Sequence, residues 1–212
     1  MAGVETDLAG LVAAVQARAG AGRLILAVAG APGSGKSTLA DTLVDRLNTG
    51  TPAMAMVLPM DGYHYDDLYL VPAGLRPRKG APQTFDVGGL YHTLKRLRAR
   101  DEAEVAVPVF DRSIEIARAG ARLIPADIPV IVVEGNWLLL NQRPWDRLRP
   151  AFDLTVMVDV PEPVLRARLR ARWEGLGLNE AEIIAKLEEN DLPNGRLVRD
   201  GSVTPDYRLA NG

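Results

Sequence analysis

The chain has 212 residues, 47% of them hydrophobic, with 25 basic and 27 acidic side chains and a formal net charge of −2. That length and apolar content suit one domain with a sizeable core, and the interspersed charge argues against nucleic acid or a membrane surface as a partner. With no cysteine, disulfides, thiolate metal sites and cysteine nucleophiles are all excluded.

The stretch Met1–Asp7 is acidic where a signal peptide would be basic, and no apolar run approaches a membrane span, so a cytoplasmic location is expected. Leu8, Leu11, Val12, Val15 and Ala19 then recur at helical spacing until Gly20 and Gly22. An amphipathic helix packed on the sheet is expected within residues 1–22. The apolar run Leu24–Ala29 reads as a buried strand.

It leads into Gly30, Ala31, Pro32, Gly33, Ser34, Gly35, Lys36, Ser37 and Thr38, which fits the phosphate-binding pattern G-x-x-x-x-G-K-[ST] without a mismatch. A helical pattern carried by Leu39, Leu43 and Leu47 follows, so the motif has its strand–loop–helix context. Backbone N–H groups of such a loop and the positive end of the following helix converge on a polyphosphate. Lys36 would reach the β- and γ-phosphates of ATP, and the Ser37 hydroxyl would ligate the accompanying Mg2+.

Residues 53–58 read as a second buried strand that delivers Met60-Asp61-Gly62-Tyr63-His64-Tyr65-Asp66-Asp67 at its carboxyl end, the edge where open α/β sheets bind ligands. Asp61 is the candidate general base for a substrate hydroxyl; capping the turn made with Gly62 is the alternative account. Residues 66–85, broken by Pro72, Pro77, Pro82, Gly74 and Gly80, are expected to lack regular elements and to carry substrate contacts. Arg76, Arg78 and Lys79 either meet an anion or form a solvated basic turn. His64 and His92 are isolated and are assigned no metal.

Asp86 is placed to cap a helix with Val87, Leu90, Leu94 and Leu97 on its apolar face. Val105–Phe110 and Ile116–Ile124 suggest a hairpin near the substrate side. Residues 129–136 form a continuous apolar run ending in Glu134, a buried parallel strand whose acid would lie beside the phosphate loop, either in the magnesium shell or satisfying backbone donors. Leu154–Val160 is a further strand. Pro161 and Pro163 open a helix on which Arg168 and Arg172 share one face and Arg166 and Arg170 another, so one pair can turn to phosphate while the other meets water. Gly175 and Gly177 permit a bend before the capping-box pattern Asn179-Glu180-Ala181-Glu182, and residues 161–190 read as a lid. The tail, Ser202–Leu209, can supply one more strand.

The stretches GAPGSGKST, MDGYHYDD, KGAPQTFD, PVFDRSIE, VVEGNWLLL, the arginine helix and ENDLPNGRLV occur here in one order, from about Arg23 to Leu209. In that respect the chain resembles the phosphoribulokinase/uridine kinase family of P-loop kinases, and within it the nucleoside/nucleotide kinase-like branch, also labelled fructose transport system kinase. The resemblance implies a three-layer α/β fold with a parallel five-stranded sheet in the order 2-3-1-4-5, ATP and Mg2+, and often a homodimer. It implies Asp61 as base, Glu134 as the magnesium-side acid, and Arg168 and Arg172 as lid arginines acting beside Lys36. Asn190 and Asn194 match an asparagine motif of the branch without an assigned role beyond turn or backbone capping.

Tyr63, His64, Lys79, Asp86, Arg112 and Glu115 are the expected contacts to a small-molecule acceptor. Uridine kinases carry a tyrosine and a nearby histidine where this chain has Phe110-Asp111-Arg112-Ser113-Ile114-Glu115. These polar groups instead suit hydroxyls or a carboxylate, which leans towards a sugar such as fructose. The Lys79–Pro82 pattern is shared with pantothenate kinases, so a nucleoside or pantothenate-like acceptor stays open, as does a regulatory ATPase without a dedicated acceptor. A guanine-nucleotide switch is disfavoured: Asp86-Val87-Gly88-Gly89 has no apolar strand before it, and Asn190-Asp191 lacks the lysine of a guanine-reading motif.

Overall fold

In a computed structural model of the chain, residues 3–20, 22–51 and 53–212 are described. The expected helix within 1–22 is observed as α1 (Leu8–Arg18); the part of that expectation falling on residues 1, 2 and 21, with the opening of the Met1–Asp7 stretch, lies outside the described residues. Before α1 comes a short strand, β1 (Val4–Glu5). Then follow β2 (Leu24–Gly30), α2 (Lys36–Asn48), β3 (Ala55–Pro59), α3 (Asp67–Leu70) and α4 (Val87–Ala99). The hairpin β4 (Glu104–Asp111) and β5 (Ile116–Pro125) precedes β6 (Val130–Gly135) and β7 (Leu154–Asp159). The chain finishes with α5 (Glu162–Gly175), α6 (Glu180–Lys186), α7 (Leu192–Gly201) and β8 (Tyr207–Ala210).

The main sheet runs β1-β8-β7-β2-β6-β3 with every pairing parallel. It has six strands where five were expected, because two residues ahead of α1 add β1 at the β8 edge. Across the other five, the order β3-β6-β2-β7-β8 is the expected 2-3-1-4-5. Both faces of the central strands are covered, which is why they read as unbroken apolar runs rather than alternating ones. Ile25, Ala27, Ile131 and Val133 pack into a layer with α4, the hairpin and the segment after β6. Leu24, Leu26, Val130 and Val132 pack on the opposite layer with α1 and α2.

Two expectations change in detail. Residues 66–85 are not free of regular structure: they hold α3 and short 3-10 turns at Arg76–Arg78 and Pro82–Thr84. The Trp137 indole N–H donates to Gly80 O (3.0 Å) and that of Trp145 to Pro82 O (3.2 Å), so backbone carbonyls of the loop find partners on the body of the protein. The second helix of the expected lid does not end at a bend. It passes through a π-turn at Leu187–Asp191 straight into α7, and the final strand shrinks to Tyr207–Ala210.

The base of the hairpin is fastened chiefly by Arg23, with Arg100 Nε also donating to Ala126 O at 2.7 Å. Arg23 is buried, and its guanidinium donates to the carbonyls of Leu97, Pro125, Ala126 and Ile128. It thereby satisfies a last-turn carbonyl of α4 and ties that helix to β5.

Candidate active site

Register decides what meets at the carboxyl edge of the sheet. Val28 of β2 lies opposite Glu134 of β6, and Glu134 lies opposite Pro59 of β3. The phosphate loop begins two residues beyond Val28, and Asp61 lies two residues beyond Pro59. Three strands that are distant in sequence therefore deliver the loop, Glu134 and Asp61 to one place.

In the loop, Gly33 and Gly35 have φ of 78° and 81°, a left-handed backbone that side-chain-bearing residues rarely adopt. This turn places Lys36 at the start of α2. The Ser37 Oγ–H donates to Glu134 Oε2 at 3.0 Å. Ser34 is fully buried and its Oγ has no hydrogen-bond partner among the described residues. Burial pushes the Glu134 carboxyl up, Lys36 opposes this, and the nearby Asp61 charge adds to it. A cation arriving beside Ser37 and Glu134 would relieve that penalty, so hydroxyl and carboxylate suit an oxygen-ligated Mg2+. No cluster of three acidic or histidine side chains fit to hold a metal exists among the described residues.

Asp61 borders two clefts. One is shared with Lys36, His64, Lys79, Arg172 and Asn190, the other with Ser37, Asp41 and Glu134. Its Oδ2 accepts from Arg112 Nη2 at 2.7 Å. Burial pushes the Asp61 carboxyl up, but the attraction of His64 in its protonated form and the charges of Arg112 and Lys36 outweigh it and hold the group below the usual carboxylate range. The turn carrying Asp61 is clamped by the hairpin: a Cβ on Gly62 would stand 2.4 Å from Pro108 O, so only glycine permits this approach.

His64 Nδ1 lies 2.7 Å from the Asp61 carbonyl oxygen and must carry the proton, because a carbonyl only accepts. Burial lowers the pKa of His64, which leaves Nε2 of the neutral ring as an acceptor. The ring packs between Phe85 and Phe110 at centroid distances of 4.0 and 4.7 Å.

Of the expected acceptor contacts, His64, Lys79, Arg112 and Glu115 line one cleft with Asp61. Tyr63 and Asp86 do not. Tyr63 is buried in the core with Phe85 and Leu90, and burial pushes its phenol up to about 12. Asp86 caps α4 by accepting from Gly89 N at 2.8 Å, and its carboxylate lies outside the cleft. Arg76 and Lys79 form neither a solvated turn nor an open anion site, since both pair with Asp67 at 2.7 Å. Lys79 also donates to Glu115 O at 2.6 Å. Arg78 donates to Glu189 O and, at 3.4 Å, to Asn194 Oδ1.

The arginine faces divide as the helical spacing suggests for three of four. Arg166 pairs with Glu188, and Arg170 with Glu180, on the outer side of α5. Arg172 lines the cleft with Lys36 and lies over the Trp173 ring at 5.0 Å. Arg168 is absent from the cleft lining. A neighbouring cleft of ≈ 390 Å³ between β7, α5 and α7 is walled by Leu165, Leu169 and Val198. Its rim pair, Arg196 and Glu162, is already matched at 2.6 Å, so it offers a transferring phosphoryl group little free charge.

The asparagines are where reading the sequence fell short. Asn190 Nδ2 donates to Lys79 O (3.1 Å), and Asn194 Nδ2 to Asn190 Oδ1 (3.2 Å). Next to them, Asp191 Oδ2 accepts from the Trp173 indole (2.7 Å). They link the acceptor loop to the π-turn and α5, and their burial in a polar cleft could not be read from a capping-type pattern. Asn136, also in the cleft, carried no signal beyond interrupting an apolar run.

A phosphate loop with a free lysine, a strand-end acid on its serine, and an ionised aspartate across the cleft define a P-loop kinase. Residues 25–172 match the Phosphoribulokinase / Uridine kinase family, and the chain belongs to it. It is 32% identical over 194 residues to the "Putative uridine kinase C227.14" of Schizosaccharomyces pombe, covering 88% of this chain and 83% of that protein. Its identity to the "Uncharacterized protein YggC" of Escherichia coli is 34% over 193 residues, covering 90% and 79%. The crystal structure of a "putative fructose transport system kinase" from Silicibacter sp. TM1040 superposes with a TM-score of 0.88 at 39% identity, covering 96% of this chain and 98% of that one. The protein is accordingly an ATP-dependent phosphotransferase with a small-molecule acceptor, and P-loop kinases as a rule use Mg2+ with the nucleotide. Among the described residues no helix is long and apolar enough to cross a membrane.

Proposed function

We propose that the protein transfers the γ-phosphoryl group of ATP to a hydroxyl of a small polyhydroxylated metabolite, a sugar such as fructose. The observation that carries this reading is Asp61, held ionised in the same cleft as Lys36. Asp61 takes the proton of the attacking hydroxyl, while Lys36 and Arg172 meet charge on the transferring oxygens. Ser37 and Glu134 would hold Mg2+, which supplies charge neutralisation between the phosphates. Asp61 can accept the proton only through an oxygen that Arg112 leaves open; its Oδ2 is engaged at 2.7 Å.

The hydroxyl-bearing acceptor class is supported by the ion pairs that engage cations on the acceptor side: Arg112 pairs with Asp61, and Arg76 and Lys79 share the one carboxylate of Asp67. His64 Nε2 and the amides of the cleft add hydrogen-bonding capacity, which suits hydroxyls. A nucleoside is the competing reading, favoured by the Phe85–His64–Phe110 stack.

ADP release by the purified protein with ATP-Mg, measured against sugars, polyols, ribulose 5-phosphate, nucleosides and pantothenate, tests this. A sugar or polyol response is expected. A response confined to nucleosides would replace the acceptor class, and acceptor-independent release at the full rate would replace the kinase reading with a regulatory ATPase.

A further inference from the structure

The residue directly after β6 is a polar interruption in an apolar run. Trp137, Leu138, Leu139 and Leu140, which follow it, are all at most 2% exposed. Asn136 itself lines the acceptor cleft with Asp61, His64 and Phe110. Its Oδ1 is buried and has no hydrogen-bond partner among the described residues.

Buried polar atoms are nearly always paired, and a lone one lowers the stability of the fold that contains it. Three donors of this region are directed to other acceptors. The Trp137 indole N–H goes to Gly80 O, Asn190 Nδ2 to Lys79 O, and Asn194 Nδ2 to Asn190 Oδ1. Because Asn136 lines the cleft, a molecule seated there is placed to supply the missing donor.

We propose that Asn136 is an acceptor-specificity residue, whose Oδ1 receives a hydrogen bond from a hydroxyl of the molecule that is phosphorylated. With His64 Nε2 it forms a pair of hydrogen-bond acceptors facing a hydroxylated ligand. Each asks for an O–H or N–H, and neither rewards an apolar or purely anionic group. A site built to pair with a hydroxyl rejects the analogue lacking it, because its own polar atom is then stranded.

This inference rests on the kinase reading for its ligand, but one arm of its test does not. Asn136→Leu removes the stranded amide and keeps the branching of the side chain. The variant is expected to raise Tm by about 2 °C, as relief of a buried unpaired group should in a chain of this length. A fall of several degrees would overturn the proposal, by showing that the amide is paired within the protein.

The second arm uses whichever member of the acceptor panel gives turnover. KM for that acceptor should rise about tenfold or more, with KM for ATP unchanged. Asn136→Ala, which adds no bulk, should show the same rise. If the alanine variant keeps the wild-type acceptor KM, the leucine effect is steric and the proposal fails. If no panel member responds in the wild-type protein, it is the acceptor reading that fails, and the thermal arm still decides whether Asn136 waits for a partner from outside.

Discussion

The two sides of the active site are built in different ways. The donor side centres on one contiguous segment, Gly30–Thr38, in which a loop and a helix start orient the backbone, with Glu134 bonded to Ser37. The acceptor side gathers the turn at Asp61–His64, the loop at Lys79–Gly80, the hairpin at Phe110–Glu115, the end of β6 at Asn136 and the π-turn at Asn190. A segment that carries its own geometry can keep its task while the surroundings change. A cleft assembled from five segments changes specificity whenever any of them shifts, which fits one phosphate loop serving kinases with many acceptors.

Three substitutions would break or sharpen this contrast. Asp61→Asn strikes a carboxylate that borders both clefts. It should lower kcat by about 10³-fold, within the range for loss of a general base, while the affinity for an ATP analogue changes by less than about threefold. Isothermal titration beside steady-state rates checks both; a parallel loss of nucleotide affinity would show the two sides to be inseparable.

Asn190→Ala acts on the acceptor side alone. It removes the bond to Lys79 O and leaves the Lys79 side chain on Asp67 and Glu115 O. Acceptor KM should rise about tenfold with ATP KM unchanged, since misplacing a positioning group by a fraction of an ångström is costly. An equal rise in both constants would place Asn190 in the lid rather than in the acceptor wall.

Arg112→Met gives the smallest effect, visible as a function of pH. Asp61 is held low in the folded protein by His64, Arg112 and Lys36 against the opposing push of burial. Losing one cation moves its folded pKa upward, so the acid limb of the kcat profile should shift to higher pH by about one unit. The stability contributed by Asp61 follows the same sign: it is present above the unfolded pKa and lost as pH falls through the folded one, and in the variant that contribution is smaller and its loss is complete at higher pH. An unmoved acid limb would mean that the pair seen at 2.7 Å does not set the ionisation of Asp61.

Periodicity and punctuation were enough for most of the scaffold. Apolar runs without alternation marked the buried parallel strands, Asp86 and Asn179 marked helix starts, and the glycine-lysine motif marked the loop. These are signals in which neighbours in sequence are also neighbours in space. Arg23 shows where such reading stops. Nothing local to it foretells four carbonyls contributed by residues 97, 125, 126 and 128.

The same physical distinction separates what the chain says alone from what only its fold decided. Sequence by itself determined the phosphate loop and the strand-end acids Asp61 and Glu134, because each depends on short-range backbone preference or on which faces are apolar; the order of the five strands from β2 to β8 in the main sheet came from the family resemblance. Tertiary structure alone decided that Tyr63 packs inward and that the Asp86 carboxylate stands outside the cleft, that Lys79 joins loop to hairpin, and that Asn136 and Asn190 stand in the acceptor cleft. Those outcomes rest on hydrogen bonds between segments as many as 111 residues apart. A polar side chain discloses its role only once the fold has settled which donors and acceptors are left within its reach.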